Sequence, residues 1–186
     1  MKHELVVRED ISNLIPENSI CLELGVAEGH FSKCLLERTK NIKHLYSIDM
    51  WGGDRGHDIN QYKRAICNLS NFKEKNTIIK LKFEDALSLF PDDFFDFIYV
   101  DGYAHTGEEN GKTFFDWWPK LKQNGIFSGD DYDNKKWTEV YKNVNNFCEK
   151  KKLQINVIPN NMTSRSSKNL RTTGMDLSPT WFVFKI

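Results

Sequence analysis

The sequence carries no net charge, because 26 Lys and Arg balance 26 Asp and Glu. A protein that docks on nucleic acid or an anionic membrane through its overall field needs an excess of positive charge. Neither partner is expected here. No apolar run approaches the ~20 residues of a membrane span. The first ten residues, MKHELVVRED, lack the apolar segment of a secretion signal. A reducing, cytoplasmic setting is therefore the expectation. Cysteine is scarce, and the four present (Cys21, Cys34, Cys67 and Cys148) form no C-x-x-C pair or other metal spacing. Free thiols follow. Internal repeats and a second-domain boundary are also missing. The 186 residues then read as a single domain with enough length to bury its own core. One stretch, Pro159 to Thr180, is rich in Asn, Ser and Thr and reads as a mobile loop or lid over a site.

What is present is an alternation of short apolar runs and longer helical patterns. Ser19 to Leu24 reads as a buried strand entering a tight turn at Gly25. His30 to Thr39 places Phe31, Cys34, Leu35 and Leu36 on a helical period. His44 to Ile48 is a second strand, Asp58 to Phe72 a second helix, and Thr77 to Phe83 a third strand by alternation. Ala86 to Phe90 is a short helix before Pro91. Phe94 to Val100 is the most apolar strand, and Glu108 to Leu121 the helix after it. Asn124-Gly125 reads as a turn into a fifth strand, Gly125 to Ser128, and Trp137 to Lys151 as a further helix. Leu153 to Ile158 and Trp181 to Ile186 are late strands with no helix between them. Alternating strands and helices predict an α/β fold, doubly wound and Rossmann-like, on a mainly parallel sheet of seven strands. The last two strands predict an antiparallel C-terminal hairpin.

Four glycine-rich or acidic turns end strands one, two, four and five. In an open α/β sheet that edge binds ligands. The first turn, Glu23-Leu24-Gly25-Val26-Ala27-Glu28-Gly29, lacks the G-x-G-x-x-G spacing that seats a pyrophosphate. Its acid, Glu23, would repel phosphate and suits a cationic amino group. Asp49 ends the second strand, where an acid accepts ribose hydroxyls or caps a helix. Asp85, in Phe83-Glu84-Asp85-Ala86, is a weaker candidate. Asp101 closes strand four, and Asp130 and Asp131 close strand five. Three clustered carboxylates repel one another unless something positive sits among them. Either a hard divalent cation such as Mg²⁺ fills that role, or the last two acids cap the next helix.

Glu23-x-Gly25-x-Ala27-x-Gly29 resembles the first motif of class I S-adenosylmethionine-dependent methyltransferases, E/D-x-G-x-G-x-G, with Ala27 in place of the middle glycine. The resemblance implies that this turn wraps the methionine part of S-adenosylmethionine. It implies that Asp49 holds the ribose, Met50 or Trp51 flanks the adenine, and Asp85 meets the adenine amino group. V-D-G-x-x-H, then W-W-P-x-L-K-x-x-G, then D-D-Y resembles the small-molecule O-methyltransferases of the macrocin and novobiocin type, which act on sugars. In their metal-dependent members the acids matched by Asp101, Asp130 and Asp131 hold Mg²⁺. There Asp101 is expected to face both cofactor and reaction. The novobiocin type reads D-G-D where this chain has Tyr103 in the third place. His105 is the replacement candidate for general base, with His57 behind it. The D/N-P-P-Y signature of amide methylation is absent. The expected acceptor is a small hydroxylated molecule such as a sugar. Methyl transfer without metal, a non-catalytic binding subunit and assembly as a homo-oligomer stay open.

Overall fold

The computed structural model describes residues 4–53, 57–102, 110–160 and 178–186. Its centre is a seven-stranded sheet: β1 Ser19–Leu24, β2 Ile42–Asp49, β3 Asn76–Lys80, β4 Phe95–Val100, β5 Leu121–Gly129, β6 Asn156–Ile158 and β7 Thr180–Phe184. The spatial order is β3-β2-β1-β4-β5-β7-β6. β1 to β5 pair in parallel, and β7 runs antiparallel to both β5 and β6. The mainly parallel Rossmann-like sheet and its antiparallel C-terminal hairpin are thus both present.

Among the described residues five α-helices accompany the strands: α1 His30–Arg38, α2 Ile59–Asn68, α3 Phe83–Ala86, α4 Lys112–Trp117 and α5 Thr138–Lys151. α1 starts at Gly29, whose φ of 78° lets the chain leave the first turn and enter the helix. Phe31 and Leu35, one turn apart, are its buried stripe. α2 is capped by Asp58, whose side chain accepts from Asn60 and Gln61 N–H. In α5 Val140, Val144, Phe147 and Cys148 share the buried face.

Strand alternation divides the core. Leu22, Leu24, Ile98, Val100, Phe127 and Trp181 face one side, with Phe114, Trp117 and Phe147 from the helices there. Cys21, Leu45, Phe97, Tyr99, Ile126 and Phe182 face the other, with Phe31 and Leu35 of α1.

This second side holds an element that the sequence does not announce. Arg8–Leu14 forms a 3-10 helix before β1, and its Ile11 and the following Ile15 lie in the core. Two other departures are local. Asn124-Gly125 is no turn; it lies inside β5. Asn124 adopts a φ of 65°, and the chain pairs here with Lys185 in both directions, at 2.7 and 3.0 Å. The β4–β5 register shifts between Phe95 and Phe97, as at a bulge. β3 ends at Lys80, and Phe83 opens α3 instead of closing a strand. Among the described residues no helix is long and apolar enough to cross a membrane.

Candidate active site

Register aligns the turns. Leu24 pairs with Ile48 and with Val100, and Val100 with Gly129. The next residues on those strands are therefore Gly25, Asp49, Asp101 and Asp130, side by side at the carboxyl edge. Two residues back on the same strands lie Ser47, Glu23, Tyr99 and Ser128, also in register. By the period of two, the two rows' acids project on the side of α1 and the N-terminal arm.

The first two turns are bound to each other. Asp49 Oδ2 accepts the Val26 and Ala27 N–H groups, both at 2.9 Å, and Oδ1 accepts Trp51 N–H at 3.1 Å. His57 Nδ1 lies 3.6 Å from Oδ2. Burial alone would raise the Asp49 pKa, but these hydrogen bonds outweigh it and hold the carboxyl below its ordinary range. Trp51 Nε1 closes the arrangement on the Ala27 carbonyl at 2.8 Å. Oδ1 keeps acceptor capacity for a hydroxyl. Gly25, at φ 93°, is obligatory: a Cβ there would come within 1.7 Å of the Asp101 carbonyl oxygen. The turn and strand four thus meet backbone to backbone.

Glu23 is turned inward. It is 1% exposed, and the Ser32 hydroxyl of α1 donates to it. Ser32 bonds Ser47 at 3.0 Å, and Asn76 of β3 donates to Ser47 at 2.8 Å. Burial pushes the Glu23 carboxyl up to about 8, Ser32 and Arg8 opposing.

The acids of β4 and β5 meet a cation from the arm. Arg8 Nη1 lies 2.6 Å from Asp130 Oδ2 and 3.4 Å from Asp101 Oδ2. Its guanidinium rests over the Phe31 ring, 4.7 Å from the centroid. Thr180 of β7 donates to the other oxygen, Asp130 Oδ1, at 3.0 Å. Burial raises the Asp130 carboxyl to about 7 against the pull of Arg8. Only 2% of the Asp130 side chain is exposed, against 23% for Asp101. Asp131, next in the chain, is buried with φ 60°.

The profile of the family described as the methyltransferase domain matches residues 22–132, from β1 to the turn beyond β5. The chain belongs to this methyltransferase family. No curated protein matches its sequence. A spermidine synthase from Thermotoga maritima superposes with TM-score 0.67 at 16% identity, over 100% of this chain and 60% of that one. The methyltransferase chain thus spans about three fifths of that protein's length. An S-adenosylmethionine-dependent O-methyltransferase from the same organism gives TM-score 0.62 at 16% identity, covering 100% and 68%. An O-methyltransferase from Bacillus cereus, in complex with S-adenosylhomocysteine, gives 0.65 at 13% identity, covering 95% and 80%. These likenesses show the fold. The family match shows a methyltransferase domain, and S-adenosylmethionine is the cofactor that the first-motif resemblance implies.

The chain's residues fit that cofactor at the first two turns. Asp49 Oδ1 has an acceptor position left, and a Cβ on Gly53, at φ 90°, would meet nothing within 4 Å. Met50 lies between these two, its carbonyl held by Lys80. Asp85 sits in the first turn of α3, exposed, five residues past β3. The fit to Mg²⁺ is different. A hard dication needs open carboxylate oxygens and room for water. Both Asp130 oxygens are engaged, and a guanidinium already stands between Asp130 and Asp101. The arrangement does not suit a dication at these two acids. Among the described residues no group of three His, Cys, Asp or Glu is placed to hold a metal.

The structure therefore brings Gly25, Ala27, Gly29 and Asp49 into one linked pair of turns, and Asp101 and Asp130 onto one arginine. His105 and Tyr103 lie outside the described residues, as does 161–177 of the Asn/Ser/Thr-rich stretch. Sequence reasoning missed Arg8 and Thr180. Neither belongs to a motif; the one available signal was the demand for a positive group among the acids.

Proposed function

We propose that this methyltransferase acts on an oxygen of a small hydroxylated acceptor, such as a sugar, and that Asp101 receives the hydroxyl proton. S-adenosylmethionine, when bound, supplies a methyl group activated by the sulfonium charge. The acceptor oxygen forms the new bond to the methyl carbon, the carbon–sulfur bond breaks, and the oxygen's proton must leave. A carboxylate within hydrogen-bond reach is a suitable receiver.

The observation that carries this reading is the position of Asp101. Its backbone abuts Gly25 of the cofactor turn, and its N–H donates to the Leu24 carbonyl at 2.7 Å. Its side chain is the more exposed acid of the pair, 23% against 2% for Asp130, with Arg8 Nη1 3.4 Å away. Two of the structural neighbours are named O-methyltransferases, which supports oxygen as the acceptor atom. The macrocin- and novobiocin-type resemblance supports a sugar. His105, four residues along the chain, is the second candidate for the same proton. Mg²⁺ assistance, implied by that resemblance, has no part in this reading, given the hold of Arg8 and Thr180 on Asp130.

The test is methyl transfer from labelled S-adenosylmethionine to a panel of hydroxylated acceptors, with calorimetric titration of S-adenosylhomocysteine alongside. Asp101→Asn is expected to lower kcat by about 10²–10⁴-fold while S-adenosylhomocysteine affinity changes little. An unchanged kcat in Asp101→Asn, with a loss in His105→Asn, would move the proton to the histidine. A folded protein that fails to bind S-adenosylhomocysteine would overturn the reading.

A further inference from the structure

We propose that Arg8 takes the place of a divalent cation in the acid cluster, bridging Asp101 and Asp130 from within the chain, so that the site excludes added metal. One nitrogen, Nη1, contacts carboxylates from two different strand ends, 2.6 Å to Asp130 and 3.4 Å to Asp101. That is the bridging role that clustered acids require of a cation. Arginine fills it permanently, because a guanidinium does not lose its proton in proteins.

The surroundings fix the group in place. Phe31 lies under the guanidinium at 4.7 Å, and only 10% of the Arg8 side chain is exposed. The arm that carries it is tied down on both sides of the residue. Asp10 accepts the Val6 and Val7 N–H groups at 3.0 Å each and pairs with Arg38 of α1 at 3.3 Å. Ile11 and Ile15 are buried in the core. Asp130 gains nothing from a metal, since Thr180 serves its second oxygen. A guanidinium also differs from a metal in what it offers. It donates hydrogen bonds and charge but opens no coordination position to a hydroxyl. Arg8 is thus a positioning residue: it orders two carboxylates and leaves proton removal to a side chain.

Manganese titration of the full chain, followed by electron paramagnetic resonance, reads the cluster without acceptor or cofactor. Its outcome is therefore separable from any failure of the methyl-transfer reading. Wild type is expected to take up no stoichiometric Mn²⁺ below about millimolar concentration. Arg8→Met and Arg8→Gln are expected to gain a site about tenfold tighter or more, which a further Asp130→Asn removes. Arg8→Lys, which keeps the charge, is expected to stay metal-free. Stoichiometric micromolar binding by wild type, lost in Asp130→Asn, would overturn the proposal. So would folded Arg8→Met and Arg8→Gln proteins that gain no site. If neither variant folds, as judged by circular dichroism, the wild-type titration alone decides.

Discussion

Ala27 stands at φ 49°, in the left-handed region, with its N–H on Asp49 and its carbonyl on Trp51. A side chain in that region costs roughly 1–2 kcal/mol. The two hydrogen bonds hold the residue there regardless. Ala27→Gly removes the strain but gives the unfolded chain more freedom. The net expectation is a gain of about 0.5–1 kcal/mol, a rise in Tm of about 1–4 °C, read by thermal unfolding. A lower Tm would show that the turn relaxes without glycine. At this scale the sequence displayed the substitution but not its backbone cost. It displayed Glu23 too, as the motif's acid. It hid that Glu23 answers to Ser32, and Ser32 to Ser47, because such partners are chosen by the packing of α1 on the sheet and not by spacing. Arg8 was hidden for a different reason. Its partners lie 93 and 122 residues away in the chain, beyond any local pattern.

Among elements, β1 was legible to its last residue because an apolar run ending in glycine has few other readings. β3 was over-extended because Leu81 to Phe83 continues the alternation, yet the Phe83 ring is wanted beneath Gly102, where a Cβ would clash at 2.5 Å. The arm was passed over since REDISNL is rich in charge, and charged residues ordinarily stay in water. Here the charges of Arg8 and Asp10 are answered inside, which frees Ile11 to anchor the segment. Ile11→Ala is expected to cost about 2–4 kcal/mol, measured by urea unfolding. The arm carries Arg8, so the same variant is expected to weaken exclusion of Mn²⁺ in parallel. A loss well under 1 kcal/mol would mean that the arm is held by its polar contacts alone.

For the whole molecule, three buried acids shape the pH–stability profile, two in one direction and one in the other. The folded pKa of Glu23, about 8, is above the ordinary carboxyl range. The native state therefore keeps a proton that the unfolded chain releases, and stability falls as pH rises from that range to about 8. Asp130, raised to about 7, acts in the same sense over a narrower span. Asp49, held low by its hydrogen bonds, contributes at neutral pH and loses that contribution as acid titrates it. Glu23→Gln is expected to flatten the fall between about pH 5 and 8, removing a slope of up to about 1.4 kcal/mol per pH unit. Urea unfolding at several pH values compares the two proteins. Equal slopes would show that native Glu23 is already ionised.

The tie between Arg8 and Asp130 also sets an order of assembly. Ribosomes add about 5–20 residues per second. Asp130, 122 residues behind Arg8, therefore leaves the ribosome roughly 6–24 s later. Thr180, 50 residues behind Asp130, follows after roughly another 3–10 s. Until Asp101 emerges, 93 residues behind it, the arginine has neither of its two carboxylate partners, and the cofactor turns can close before the acid cluster does. The nascent chain thus passes through a stage with one half of its catalytic edge built and the other waiting for its last strand.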